Sequence, residues 1–86
     1  MNPTAVLQYP LNTEKAVRLM NAENKLLFVI ATKATKADVK KAFELLFKTK
    51  VTRVGTYTSP DGKKRAYITL AKDVSAIDIF TKMGIA

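Results

Sequence analysis

Residues 50–71 read KVTRVGTYTSPDGKKRAYITLA, and this stretch decides most of the expected fold. Two runs of β-forming residues, 50–58 and 65–71, flank a Ser-Pro-Asp-Gly turn. The proline presets φ at the second position of the turn, and Gly62 accepts the positive φ that closing a hairpin requires. Two valines of the first run stand three residues apart, which breaks strict alternation and predicts a β-bulge. The stretch is therefore predicted to be an antiparallel hairpin.

The elements before the hairpin follow from capping signals and hydrophobic spacing. Thr13 is the predicted N-cap of a helix that ends at Asn21 or Asn24. Residues 25–31 form a bulky apolar run that is too short for a stable helix and predicts a strand. Thr35 caps the next helix, whose apolar stripe has the i, i+3, i+4, i+7 spacing of a helix buried on one side: Val39, Ala42, Phe43 and Leu46.

These elements predict a small α+β protein with a split-β-α-β-like sandwich architecture. A last helix is capped by Asp73 or Ser75 and stopped by Gly84. The helical crossover makes the first two strands parallel neighbours, and the hairpin adds an antiparallel strand. We therefore expect a three-stranded mixed sheet with helices packed on one face and the other face available. Residues 1–12 are interpreted as an extended lead-in and 13–86 as a single domain.

The net charge restricts the class of partner. The chain has 86 residues with 15 Lys and Arg against seven Asp and Glu, which gives a net charge of +8 and a pI near 9.9. A small domain this basic usually binds a polyanion, because Lys and Arg beside phosphates release condensed counterions. No apolar run approaches the roughly 20 residues of a membrane span, and the first residues lack the layout of a signal peptide. We expect no membrane insertion and a location in the cytoplasm.

Several residue types that carry out enzyme chemistry are missing. The chain has no His and no Cys, so the commonest general base, the thiolate nucleophile and the usual zinc ligands are absent. The seven carboxylates are scattered, and the three glycines form no phosphate-binding loop. We expect no enzyme activity, no metal site and no cofactor.

Three motifs resemble one known family. Residues 64–71, KRAYITLA, followed after seven residues by Ile79, resemble a motif of the universal large-subunit ribosomal protein twenty-three (L series). Residues 10–16, PLNTEKA, are similar to the family's N-terminal Pro-x-x-Thr/Ser-Glu-Lys-Ala element, and residues 34–40, ATKADVK, resemble its central Ala-Thr-Lys helix start. The three motifs occur in the family's order and cover nearly the whole chain.

The resemblance implies a structural protein that binds large-subunit rRNA beside the nascent-chain exit tunnel. It also implies a neighbouring small ribosomal protein and a docking surface for exit-site factors such as the signal recognition particle. Carried onto this sequence, the motif positions expected to touch rRNA are Lys15, Lys36, Lys64 and Arg65. Glu14 is a candidate for factor docking, although the helix dipole alone also explains a carboxylate in a first turn.

Two differences in length indicate the archaeal type of this family. Bacterial members carry a long loop between the hairpin strands, where this chain has the tight turn at 59–62. Eukaryotic members carry a long basic N-terminal extension, whereas this chain begins almost directly at the motif. The resemblance therefore implies an archaeal-type member.

Other basic residues are candidates on charge alone. Lys63 adjoins Lys64 and Arg65 at the hairpin end, where phosphate contact is favoured over a merely solvated charge run. Lys40 lies near Lys36 on the outer side of the central helix, and there RNA contact and simple solvation remain equal alternatives. Arg53 on the first hairpin strand pairs with either a carboxylate or a phosphate, and the sequence does not separate these.

An RRM-like single-stranded RNA-binding module is the alternative function. Residues 27–29 resemble the shorter RNP motif, and residues 63–68 loosely resemble the longer one. Against this, Arg65 occupies the first aromatic position of the longer motif, and the chain has no room after residue 71 for a fourth strand. If Phe28 faces the core, it cannot stack on a base. A basic protein-interaction adaptor is a third possibility, which predicts an exposed apolar patch.

Overall fold

The computed structural model describes residues 3–82, which form an α+β fold with three helices of seven or more residues, a one-turn helix and four strands. In chain order the elements are α1 (Pro3–Val6), β1 (Leu7–Pro10), α2 (Glu14–Glu23), β2 (Lys25–Ile30), α3 (Lys36–Phe47), β3 (Val51–Thr58), β4 (Lys64–Leu70) and α4 (Ala76–Lys82). The predicted α+β class is therefore confirmed. None of these helices combines the length and hydropathy needed to cross a membrane.

The sheet differs from the prediction in strand number and direction. Its order is β1-β2-β4-β3, and every neighbouring pair is antiparallel. The predicted three-stranded mixed sheet is wrong because β4 lies between β2 and β3, so these two strands are not neighbours although the α3 crossover joins them. The extra strand is β1, where Leu7 pairs with Ile30 and Pro10 with Phe28. The sequence analysis counted residues 1–12 as a lead-in, but Pro3–Val6 is a helical turn and Leu7–Pro10 an edge strand.

The hairpin forms as its turn residues predict. Gly62 has a φ of 85°, and its N–H donates to the carbonyl of Ser59 at 2.9 Å. The N–H of Ser59 donates to the carbonyl of Lys63 at 2.8 Å and closes the loop. The pairing register of β3 with β4 shifts between Val51 and Arg53, which confirms the predicted bulge. This shift places Arg53 opposite Thr69.

The carboxylate of Asp61 makes the turn sensitive to acid. It accepts hydrogen bonds from the Ser59 hydroxyl and, at 3.2 Å, from the Lys63 N–H. These bonds, the one from Ser59 first, hold the pKa of Asp61 below its usual range. A lowered carboxyl pKa contributes stability above the ordinary Asp value of about 3.9, and that contribution is lost as the pH falls through the lowered pKa.

We therefore expect Asp61→Asn to flatten part of the loss of thermal stability between about pH 4 and pH 2. The measurement is the melting temperature across that range by circular dichroism. Asp38→Asn is the matched variant and is expected to show the same kind of change. Hydrogen bonds with the N–H and hydroxyl of Thr35 also lower the pKa of the Asp38 carboxyl. A melting profile of Asp61→Asn parallel to that of the wild type would contradict the assignment.

The helix ends use the predicted capping residues. The hydroxyl of Thr13 accepts the N–H of Ala16 at 3.3 Å, and Thr35 forms a reciprocal capping box with Asp38. Asn24 ends α2 in the left-handed conformation, with a φ of 55°. Of the two predicted caps for α4, the one used is Ser75, whose hydroxyl accepts the N–H of Asp78. The predicted stop at Gly84 lies outside the described residues.

The Asn24 side chain ties the end of α2 to the segment between β4 and α4. Its amide nitrogen donates to the carbonyls of Ala71 at 3.1 Å and Val74 at 2.7 Å. Its amide oxygen accepts the N–H of Ala76 at 2.8 Å. One side chain thereby satisfies three backbone groups that would otherwise lose partners on burial.

The core lies between one face of the sheet and the helices. Phe28 and Ile68 of the sheet belong to the buried cluster, as does Phe43 of α3, which meets the Phe28 ring edge-on at 5.9 Å between centroids. Three of the four predicted stripe residues of α3 are buried, but Leu46 is 42% exposed. Phe47 packs against the cluster instead, with its ring 4.7 Å from that of Phe43.

Candidate nucleic-acid interface

The opposite face of the sheet carries basic and aromatic side chains. Residues paired across antiparallel strands point to the same side, and the register aligns Tyr67 with Gly55 and with Leu27. We call this the open face, and its residues are Tyr9, Lys25, Leu27, Val29, Arg53, Gly55, Tyr57, Arg65, Tyr67 and Thr69. Leu27 and Val29 are nevertheless buried on it, so the long side chains around them cover the centre of the sheet.

Two tyrosines stack at the middle of the open face. The rings of Tyr57 and Tyr67 are 5.2 Å apart between centroids and inclined by 20°. The ammonium of Lys15, from α2, lies 5.7 Å from the centre of the Tyr67 ring. Its interaction with the Tyr67 hydroxyl raises the pKa of Lys15. Burial alone would raise the pKa of Tyr67, but its polar contacts with Lys15 and Tyr57 lower it.

Arg65 lies beside this pair on β4. Its guanidinium is 3.7 Å from the carboxylate of Asp61 in the hairpin turn. Contact with the Tyr57 hydroxyl is the main cause that raises the pKa of Arg65. Among the described residues, its Nε has no hydrogen-bond partner although that atom is buried. The side chain of Arg65 is 28% exposed, so part of it reaches the surface beside the tyrosines.

A pocket of about 320 Å³ opens where α2 borders the open face. Three cations, Lys15, Lys25 and Arg53, lie around it, and Tyr67 forms part of its wall. Lys25 is also 3.1 Å from the carboxylate of Glu23. We call this site the Tyr67 pocket. A convergence of cations and an aromatic ring suits a ligand that carries both a phosphate and a flat ring.

The structure divides the seven predicted rRNA-binding residues between two sides. Lys15, Arg53 and Arg65 meet at the open face. Lys63 adjoins it at the hairpin end, where its ammonium lies 3.2 Å from the Tyr9 hydroxyl and 5.9 Å from the centre of that ring. These four residues and the two stacked tyrosines form one continuous basic and aromatic surface.

The other predicted positions lie around α3. Lys36 and Lys40 are exposed on that helix, which packs on the covered face. Lys64 points to the same side, and its ammonium donates to the carbonyl of Ala34 at 2.7 Å. Glu14, the candidate for factor docking, is exposed in the first turn of α2, with its carboxylate 3.5 Å from Arg18. The structure thus does not bring these four residues to the open face.

Sequence reasoning missed two members of the site. Lys25 was counted as the start of a strand, and Tyr57 was not considered as a ligand contact. Counting outward from the turn at 59–62 pairs Tyr57 with Arg65, so the hairpin register was the signal that could have found Tyr57.

The structure also bears on the RRM-like alternative. Phe28 is buried at 2% exposure and packs on Phe43, so it cannot stack on a base, as the sequence analysis argued. The sheet does have a fourth strand, but it is β1, which comes from the N-terminal side and pairs with β2, and no strand follows β4 among the described residues. The aromatic residues on the open face are Tyr9, Tyr57 and Tyr67 rather than Phe28.

Comparison with known proteins identifies the family. The family model described as Ribosomal protein L23 matches residues 5–72. The large ribosomal subunit protein uL23 of Methanothermobacter thermautotrophicus, an archaeon, is 51% identical over 85 residues, which are 99% of each chain. Both findings agree with the three motifs, and the archaeal relative agrees with the type expected from the two differences in length. The chain therefore belongs to the ribosomal protein L23 family and is a structural component of the large ribosomal subunit rather than an enzyme.

Proposed function

We propose that the open face is the surface through which this protein holds large-subunit rRNA. The observation that carries the proposal is the convergence of Lys15, Arg53 and Arg65 on two stacked tyrosines. Cations at this spacing neutralise phosphates and fix the position of a folded RNA, largely without reading its sequence. The net charge of +8 supports the same partner.

We further propose that the protein sits beside the nascent-chain exit, next to a second small ribosomal protein. This placement is carried over from the family resemblance. Because the hairpin closes through the tight turn at 59–62, a role beside the exit suits this chain better than one that lines the tunnel. Glu14 is the proposed point of contact for exit-site factors, since its side chain is exposed in the first turn of α2.

One experiment tests both parts of the proposal. The chain has no cysteine, so Glu14→Cys provides a unique attachment site for a short crosslinker. Tagged Glu14→Cys protein is expressed in the organism to which the protein is native. Large subunits are then collected on a gradient after a moderate salt wash. We expect the protein to stay stoichiometric with the subunit and to crosslink to stalled nascent chains or to bound factors.

The two readouts separate the two parts. Protein found near the top of the gradient would overturn the rRNA-binding role. Stoichiometric protein that crosslinks neither to nascent chains nor to factors would overturn only the placement of Glu14 at the exit. Lys82→Cys on α4 is the control attachment site, because it is exposed and belongs to a different helix.

A further inference from the structure

We propose that the Tyr67 pocket binds a single unpaired nucleotide of the rRNA, with its base against Tyr67 and its phosphate among Lys15, Lys25 and Arg53. This inference deepens the proposed function and rests on it. It adds that one residue of the RNA leaves the helical stack and enters the protein. Binding of the phosphate backbone alone would not require a pocket.

The shape of the pocket supports a flat ligand. Gly55 stands opposite Tyr67 in the register, and a Cβ at that position would meet no atom within 4 Å. A glycine inside a strand weakens the strand and often marks the close approach of a ligand. Leu19 of α2 adds an apolar wall. The result is a slot with an aromatic side, an apolar side and a floor without a side chain.

The aromatic wall is held in place before any ligand arrives. Tyr57 stacks on Tyr67, and Lys15 interacts with both the ring and the hydroxyl of Tyr67. A ring fixed in this way loses little freedom when a base stacks on it. Stacking on an aromatic side chain tolerates any base, which suits a protein that recognises RNA by shape.

The size of the pocket suits a single base. Bases inside an RNA duplex are stacked and shielded, and proteins reach them mainly where loops, bulges or ends are splayed out. A space of about 320 Å³ has the dimensions of a small-ligand site and not of a helical groove. The cations at its rim attract the two negatively charged phosphodiester linkages that flank the inserted base.

Gly55→Val is the decisive variant. It fills the slot without changing the charge, places a β-branched residue in a strand, and meets open space in the folded protein. Binding is measured by fluorescence anisotropy at fixed salt with labelled oligo(A), and with the duplex that oligo(A) forms with oligo(U). We expect Gly55→Val to bind oligo(A) roughly ten-fold more weakly, with unchanged salt dependence and unchanged duplex affinity.

Three controls complete the experiment. Thr56→Val places the same residue at the neighbouring position, whose side chain faces the other side of the sheet, and is expected to bind like the wild type. Tyr67→Phe keeps the ring and is expected to retain most of the affinity for oligo(A), whereas Tyr67→Leu is expected to lose about as much as Gly55→Val. If Gly55→Val fails to fold by circular dichroism, the two Tyr67 variants carry the test.

The outcomes distinguish this inference from the proposed function. Equal binding of oligo(A) by the wild type, Gly55→Val and Tyr67→Leu would overturn the nucleotide pocket, while retention on the large subunit would leave the rRNA-binding role intact. If free AMP displaced the labelled oligo(A) at concentrations as low as those at which oligo(A) itself binds, the assignment to RNA would be overturned. The ligand would then be a free nucleotide. Failure of the wild-type protein to remain on the large subunit would overturn the proposed function itself.

Discussion

Phe43→Ala is expected to lower the free energy of unfolding by about 3–5 kcal/mol. Phe43 is fully buried, and its ring contacts those of Phe28 and Phe47 at 5.9 and 4.7 Å between centroids. Removing it deletes the apolar contacts between α3 and the sheet and leaves a cavity. Domains of this size are stable by only about 5–15 kcal/mol, so the variant should be close to unfolding at room temperature. Urea titration followed by circular dichroism measures the change.

Leu45→Ala is the matched control on the same helix. Leu45 is 60% exposed, so its truncation is expected to change the free energy of unfolding by about 0.5 kcal/mol or less. Phe43→Leu gives an intermediate loss and remains measurable if Phe43→Ala does not fold. A loss below about 1 kcal/mol for Phe43→Ala would show that α3 does not depend on this contact with the sheet.

The triple variant Lys15→Ala, Lys25→Ala, Arg53→Ala is expected to bind large-subunit rRNA roughly a hundred-fold to a thousand-fold more weakly at near-physiological salt. The three side chains surround the Tyr67 pocket, and each lost charge-assisted contact weakens binding by about ten-fold. The slope of log affinity against log salt should become shallower by about one unit per lost phosphate contact. Filter binding across a series of salt concentrations measures both quantities.

A second triple variant separates the two faces of the molecule. Lys36→Ala, Lys40→Ala, Lys41→Ala removes the same amount of charge from the exposed side of α3. If RNA meets the open face, this variant should lose much less affinity than the first. The reverse order would place the RNA against α3 and would favour the two residues there that the sequence analysis had selected, Lys36 and Lys40.

Local signals predicted the elements of the fold but not the order of the strands. The turn at 59–62 and the caps Thr13 and Thr35 each act through neighbouring residues, so a short window of sequence contains them. The position of β4 between β2 and β3 depends on contacts between distant segments. Leu7–Pro10 is too short for a visible alternation, and it becomes a strand only because the free edge of β2 pairs with it.

Only part of the candidate site was predicted, because its residues also come together from distant segments. Charge identified Lys15, Arg53 and Arg65, but charge does not show which residues share a face. Lys64 and Arg65 were treated as a unit because they are adjacent in a motif. Successive residues of a strand point to opposite faces, so Lys64 contacts the start of α3 while Arg65 lies beside Tyr57. The alternation of the strand contains this distinction, but the predicted strand began at Arg65, so Lys64 was left outside it.

The central position of β4 determines when the protein can fold during its own synthesis. The core strand β2 is complete once residue 30 has been made, but its partner β4 ends about 40 residues later. At ~5–20 residues per second, translation needs roughly 2–8 s to cover that distance. A two-stranded β1–β2 ribbon is at best marginally stable alone, so the buried residues 26–30 stay exposed on the growing chain. The sheet can be completed only after residue 70 has been made, and until then residues 26–30 lack the partner strand that buries them.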